Sequence, residues 1–273
     1  MARVASWFRN MFGTPLPLIG VVHLPALPGA PGNRLSVSRL IARARDDAVR
    51  YLEAGFDGLI LENYGDVPFG SGPSEPHTVA LMTRIGAVLK ELAGERPVGI
   101  NLLRNDALGA LAVAVGAGLD FIRVNVLSGV AVTDQGFIEG PAAELLRTRS
   151  RLSCSARILA DHRVKHAMPL REAGVSVEVE ELLGRALADA LLVTGPATGR
   201  APAKAAVHAV KQAAGKAPVL VASGVDAGNL AALSAEADGF IVGTSVKRQG
   251  KTPSAVDPGR ARALARLAAS LRP

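Results

Sequence analysis

The sequence predicts an α/β fold, a single-domain (β/α)8 TIM barrel preceded by a short N-terminal extension. Three observations lead there. The chain has 273 residues, and barrels of this kind take roughly 250. Its composition is 49% hydrophobic but only 4% aromatic, an aliphatic surplus that suits strands buried on both faces. The third is an internal repetition, in which an Ala shortly precedes an Asp that opens an apolar run. It occurs at Ala54-Gly-Phe-Asp57, Ala117-Gly-Leu-Asp120, Leu187-Ala-Asp189 and Glu236-Ala-Asp238. Small residues let a helix stop there, and Asp suits the exposed start of a strand.

Residues 1–16 form the extension. Trp7, Phe8, Met11 and Phe12 are bulky and apolar, but neither a secretory core nor a cleavage site follows. A helix plugging one end of the barrel is preferred over an interfacial anchor. The barrel proper spans 17–273, with strands expected near 18–23, 57–62, 98–103, 120–126, 157–163, 189–194, 218–223 and 238–243. Strands one, three and seven are opened by Pro17, Pro97 and Pro218, allowed because a first strand residue need not donate to the ladder. Between strands one and two, Leu40, Ile41, Ala44, Ala48 and Leu52 make a helical stripe. Helices are likewise expected over 78–92 and 203–214, and over 258–271 behind Pro258. An open doubly wound sheet would show a Gly-rich turn after its first strand; here that strand ends His23-Leu-Pro-Ala-Leu-Pro.

Several classes are excluded. One cysteine, Cys154, permits neither a disulfide framework nor a cysteine zinc site. No long uninterrupted apolar run spans a membrane. The net charge of +7 raises nucleic acid as a partner, but the basic clusters (Arg147, Arg149 and Arg151; Arg260, Arg262, Arg266 and Arg272) lack stacking aromatics. Solvated helix faces explain them better, and no nucleic-acid partner is favoured.

Barrel function sits at the C-terminal ends of the strands, where the polar residues of this chain gather. His23, Glu62, Arg123, Asp161 and Lys165 are the candidate catalytic residues, His23, Glu62, Asp161 and Lys165 for proton transfer and Arg123 for orienting a carboxylate or polarising a carbonyl. Asn63, Asn101, Arg104, Asn125, His166 and Thr194 are candidate substrate contacts. Strand alternation puts Arg123 with Asn125, and Asp161 with Arg163 and Lys165. Arg123 could equally pair with Glu62 or Asp161 as a structural bridge. After the last two strands, Ser223-Gly224 and Gly243-Thr244-Ser245 resemble the phosphate cradle of many barrels, with Lys247 adding charge. Loops 24–35, 64–76 and 127–140 are long enough to be lids, the third able to move at Gly129 and Gly140. No resident cofactor is expected. A divalent metal on Glu62, Asp66, Asp161 and His166 is a minor reading, since no tight ligand spacing exists. A lysine Schiff base at Lys165 is opposed by the nearby Asp161.

These segments also carry a resemblance. Ile19-Gly-Val-Val-His-Leu-Pro-Ala-Leu-Pro-Gly, Glu62-Asn-Tyr-Gly-Asp-Val-Pro-Phe, Asn101-Leu-Leu-Arg-Asn-Asp and Phe121-Ile-Arg-Val-Asn-Val resemble the BtpA/SgcQ family. So do Thr133-Asp-Gln-Gly-Phe-Ile-Glu-Gly, Val164-Lys-His-Ala, Ala222-Ser-Gly-Val and Ile241-Val-Gly-Thr-Ser. The likeness covers about residues 17–250, and it departs at His162, where a smaller residue is expected. It implies a barrel like those that bind ribulose phosphate. It does not fix an activity, because the family is named for a cyanobacterial photosystem I factor while other members neighbour sugar-metabolism genes.

The leading expectation is a cytoplasmic isomerase, lyase or hydrolase acting on a small phosphorylated or anionic metabolite, sugar- or nucleoside-like. The rival is a non-catalytic assembly or stability factor for a membrane complex, touching that membrane peripherally. A homo-oligomer fits either.

Overall fold

The computed structural model describes residues 5–272; Met1–Val4 of the extension and Pro273 lie outside the described residues. A short helix α1 (Ser6–Phe12) leads into strand β1 (Leu18–His23). There follow α2 (Val37–Ala54), β2 (Gly58–Glu62), α3 (Pro76–Ala93), β3 (Val98–Asn101), α4 (Ala107–Ala117) and β4 (Phe121–Val124). After an excursion come α5 (Ala142–Arg151), β7 (Arg157–His162), α6 (Val175–Glu180) and β9 (Ala190–Val193). The chain ends with α7 (Lys204–Ala214), β10 (Val219–Val221), α8 (Leu230–Ser234), β11 (Gly239–Val242) and α9 (Pro258–Ser270). The eight parallel strands close in the order β1-β11-β10-β9-β7-β4-β3-β2, so the eight-strand expectation holds within a residue or two at most ends.

The repeated Asp explains how the barrel is laced. Asp57, Asp120, Asp189 and Asp238 each accept the backbone N–H that opens the preceding strand: Leu18 (2.8 Å), Val98 (2.8 Å), Ile158 (2.9 Å) and Val219 (2.8 Å). Each also donates its own N–H to that same residue's carbonyl. Every carboxylate has a basic partner as well: Arg272, Lys90, Arg149 with Arg157, and Lys211 respectively. The unit of repetition is therefore two strands and two helices, used four times. Two arginines of the basic clusters, Arg149 and Arg272, are spent in these bridges.

Alternation puts Ile19, Val21, Ile60, Phe121, Leu159, Leu192, Leu220 and Ile241 on the barrel axis, where they form a second core inside the helix-facing one. Phe8 and Phe12 of α1 belong to this inner cluster, Phe8 being fully buried, so α1 closes the N-terminal end. The Arg157 guanidinium lies 4.8 Å over the Trp7 ring and holds the outer edge of the plug.

The excursion after β4 differs from a hinged loop. Val130–Thr133 (β5) and Gly136–Glu139 (β6) form an antiparallel hairpin, and β5 pairs again with Ala167–Pro169 (β8). A Cβ on Gly140 would lie 2.4 Å from Ser128 backbone atoms. This glycine is there for close packing, and the segment is a braced three-stranded roof rather than a swinging lid. Loops 24–35 and 64–76 are also fastened together, because Asp66 Oδ1 accepts the Leu27 N–H at 2.7 Å.

Candidate functional site

Register builds the site. His23 pairs with Glu62 across β1–β2, Glu62 with Asn101 across β2–β3, and Asn101 with Arg123 across β3–β4. Four neighbouring strands thus place their inward polar residues in one layer directly above the apolar axis. On the other side of β1, Gly243 makes room for the His23 ring, where a Cβ would lie 2.3 Å from His23 Cε1. Beside it the small Ala222 lines a cavity.

Arg123 reaches up one layer to Asp161. Its Nε donates to Oδ2 at 3.2 Å and its Nη2 to Oδ1 at 3.1 Å, while Asn125 Nδ2 donates to Oδ2 at 2.5 Å. The Arg123 and Asp161 side chains are 3% and 0% exposed, so this is the buried bridge rather than a pairing with Glu62. Glu62 Oε2 instead accepts from Asn101 Nδ2 at 2.8 Å, and Oε1 lies 3.7 Å from His23 Nε2. His23 Nδ1 is buried without a hydrogen-bond partner, and the ring stands edge-on to Tyr64 at 5.0 Å. Burial, then the Lys247 and Lys165 charges, hold His23 well below the ordinary imidazole range. Lys165 is also lowered, first by burial and then by Arg123.

Two cavities of about 200 Å³ each meet here and share Glu62, Arg123, Lys165 and Thr198. One runs from His23 to the Ser223–Asp226 and Gly243–Ser245 turns. The other runs from Asn101, Arg104 and Asn125 to His166 and the Tyr64–Phe69 loop. Arg104, Arg123 and Lys165 line these cavities with Glu62 and Asp226, and Asp161 is bound to Arg123 beside them. A lateral chamber of about 130 Å³ under the roof touches the same Asn125 and Asp161 from the other side.

Several expectations need correction. Asn63 lies next to Glu62 and so points away from the axis; it bonds Asp66 (3.0 Å) and the Leu103 backbone (2.7 Å to its N–H) and lines neither cavity. Thr194 likewise lines neither and donates to the Arg163 carbonyl at 3.4 Å. Arg163 does not share the mouth with Asp161 and Lys165, because the strand ends at His162 and Arg163 (φ 55°) turns outward to Glu178 at 2.7 Å. Lys247 is 1% exposed and donates to Asp47 at 2.6 Å behind the barrel wall, so it adds no charge to the cradle. The hydroxyls of Ser223 and Ser245 donate to the carbonyls of Ala197 (3.3 Å) and Val225 (2.6 Å), and Thr244 bonds Thr252 (2.9 Å). Any anion there must be met mainly by N–H groups, such as those opening the 3-10 turn Thr244–Val246. The four residues offered for a metal do not converge: Asp66 holds Leu27, Asp161 holds Arg123, and the exposed His166 faces Thr198 at 3.4 Å. Among the described residues no cluster of three His, Cys, Asp or Glu could hold a cation.

Thr198 and Tyr64 are the residues that sequence reasoning missed. Loop length was the available signal for Tyr64. For Thr198 the signal was Gly195-Pro-Ala-Thr-Gly199 after the sixth barrel strand; a Cβ on Gly224 (φ 64°) would lie 2.0 Å from Ala201 N, so that loop is seated on the cradle.

The fold is shared with solved structures. Phosphoribosyl anthranilate isomerase from Thermus thermophilus superposes with TM-score 0.57 at 17% identity, covering 94% of this chain and all of that one. A structure described as native KDPGal gives 0.56 at 14%, covering 94% and 95%. In sequence, an uncharacterized protein of Pyrococcus horikoshii is 45% identical over 94% of this chain and 97% of its own length. The photosystem I biogenesis protein BtpA of Synechocystis is 45% identical over 91% and 86%. A mitochondrial uncharacterized protein of Caenorhabditis elegans is 36% identical over 92% of each chain. With the BtpA family profile matching residues 14–270 as well, this TIM barrel belongs to the BtpA family.

Proposed function

We propose that the barrel is an enzyme of isomerase, lyase or hydrolase type acting on a small phosphorylated or otherwise anionic metabolite, sugar- or nucleoside-like. The observation that carries this reading is the convergence of His23, Glu62, Arg123 and Lys165 on one cavity whose far wall is the Ser223–Val225 and Gly243–Ser245 turns. Arg123 and Lys165 on the near wall and N–H groups at those turns suit an anion. Arg104 and Arg123 orient a carboxylate or polarise a carbonyl. Glu62, with His23 beside it, is placed to take or return a proton, while the lowered pKa of His23 makes its imidazole the weaker base. A superposable barrel named for a phosphoribosyl substrate is in keeping with this chemistry.

The test is a thermal-shift screen of phosphorylated and carboxylated metabolites. A ligand at about 100 times its Kd adds roughly 2.7 kcal/mol, or about 5–10 °C in a domain of this size. If none shifts the transition, the reading fails.

A second reading, a non-catalytic assembly factor, has its own observation. Val132, Phe137, Met168 and Leu170, on or beside the roof, are exposed large apolar side chains, Phe137 at 65%, and one relative is named for photosystem I biogenesis. No helix among the described residues is long and apolar enough to cross a membrane, so that role would be exercised from the surface. Capture of a partner by the native protein but not by a Phe137→Ser, Met168→Ser variant, with no metabolite bound, would favour it.

A further inference from the structure

Of the lysines whose surroundings are described, Lys90, Lys204, Lys211 and Lys247 each have a carboxylate within ion-pair reach, and Lys216 and Lys251 are exposed. Lys165 is different. It lines both lobes of the mouth, and among the described residues it forms no ion pair. The carboxylates that could neutralise it are occupied, Asp161 by Arg123 and Asn125, and Glu62 by Asn101. Glu62 and Asp161 still favour the ammonium, but burial and then the Arg123 charge outweigh them. Its main chain is fixed, since Arg104 Nη2 donates to the Lys165 carbonyl at 2.8 Å. The same Arg104, with Arg123, sets positive charge beside the amine. Desolvation and a neighbouring cation are the two means by which proteins free a lysine amine for nucleophilic attack.

We infer that Lys165 is the covalent nucleophile of this cavity and forms an imine with an aldehyde or ketone carbonyl of its anionic substrate. The inference rests on the proposed function and narrows its substrate class to carbonyl compounds. The Nζ lone pair attacks the carbonyl carbon and a carbinolamine forms. Its oxygen leaves as water, with one proton from the amine and one from solvent, and a protonated C=N bond replaces C=O. That cation draws electrons from the adjacent carbon, so a neighbouring C–H or C–C bond can break with its electron pair moving toward nitrogen. His23 and Glu62 stand in the same layer to receive or return the proton. Water adds back to release the product, and no oxidant or reductant is consumed. Burial lowers the pKa of Lys165 in the direction this step requires.

The experiment treats the intact protein at pH 7 with dihydroxyacetone phosphate or pyridoxal 5′-phosphate, reduces with borohydride and locates adducts by peptide mass spectrometry. In parallel, the melting temperature is followed with inorganic phosphate alone. Adducts should form on Lys165 well ahead of Lys216 and Lys251, which are exposed and lie outside both lobes of the mouth. The Lys165→Arg variant should lose that adduct while still being stabilised by phosphate. Labelling of Lys165 no faster than the exposed lysines overturns the inference. If phosphate still stabilises the protein in that case, the anionic-metabolite reading survives without the imine. If phosphate has no effect and Lys165 is selectively labelled, Lys165 is a nucleophile but the anionic substrate, and with it the inference as stated, is overturned; if neither is seen, both readings fall.

Discussion

Replacing Asp161 by alanine would strand the Arg123 guanidinium in a site where it is 3% exposed. Two donors of Arg123 and one of Asn125 lose their acceptor at once, and no other carboxylate in that layer is free, because Glu62 is engaged by Asn101. Breaking a buried ion pair by removing one partner costs about 3–5 kcal/mol, whereas replacing both by apolar residues of similar volume is often nearly neutral. For a domain of this size the single variant should melt about 6–20 °C lower. The double variant Arg123→Met, Asp161→Leu should regain most of that loss. Urea unfolding followed by circular dichroism, on the native protein, Arg123→Met, Asp161→Leu and the double variant, closes the cycle, with Asp161→Ala measured beside it. If Asp161→Ala unfolds within about 1 kcal/mol of the native protein, or the double variant is no better than the singles, Arg123 is not held by a buried bridge and the geometry of the mouth is misread.

Three other outcomes follow from the same structure. Burial depresses the pKa of both His23 and His162, so the unfolded chain takes up protons below about pH 6.5 that the folded one resists. Stability should therefore be complete above that pH and fall as the medium is acidified, with a shallower fall in His23→Asn; a flat or opposite slope between pH 7.5 and 5 would contradict this. Phe8→Ala empties the floor of the barrel and should cost about 3–5 kcal/mol in denaturant titration, whereas a surface helix would lose almost nothing. Lys247→Met leaves Asp47 buried and should lose about 3–5 kcal/mol of stability, yet at pH 8 phosphate should bind as to the native protein, because Lys247 lies behind the wall; weaker binding in calorimetry would return it to the cradle.

The barrel was legible because its signals are local. A proline or an aspartate at a strand start, and apolar stripes at helical spacing, need no distant partner to be recognised. The roof was not, since Val130–Thr133 completes its pairing with Ala167–Pro169 far along the chain. Polar type picked out His23, Glu62, Asn101 and Arg123, which the register brings into one layer, but it also picked out Asn63, one residue past the end of β2, which turns away to Asp66 and Leu103. Lys247 and Thr194 show the same limit. Beyond the last paired residue the backbone turns freely, and alternation no longer says which way a side chain faces. Thr198 entered the mouth for the same reason, carried there by a loop seated on Gly224.

The helix that seals the N-terminal end precedes all eight barrel strands in the chain, yet its seat exists only once they have closed. Phe8 and Phe12 have no berth until strands more than two hundred residues downstream have come together around them, so a nascent chain carries its own stopper exposed throughout translation. Trimming the first dozen residues to tidy an expression product would uncork an apolar well lined by Ile19, Ile60 and Leu220, and the shortened protein should clump where the full one stays dispersed.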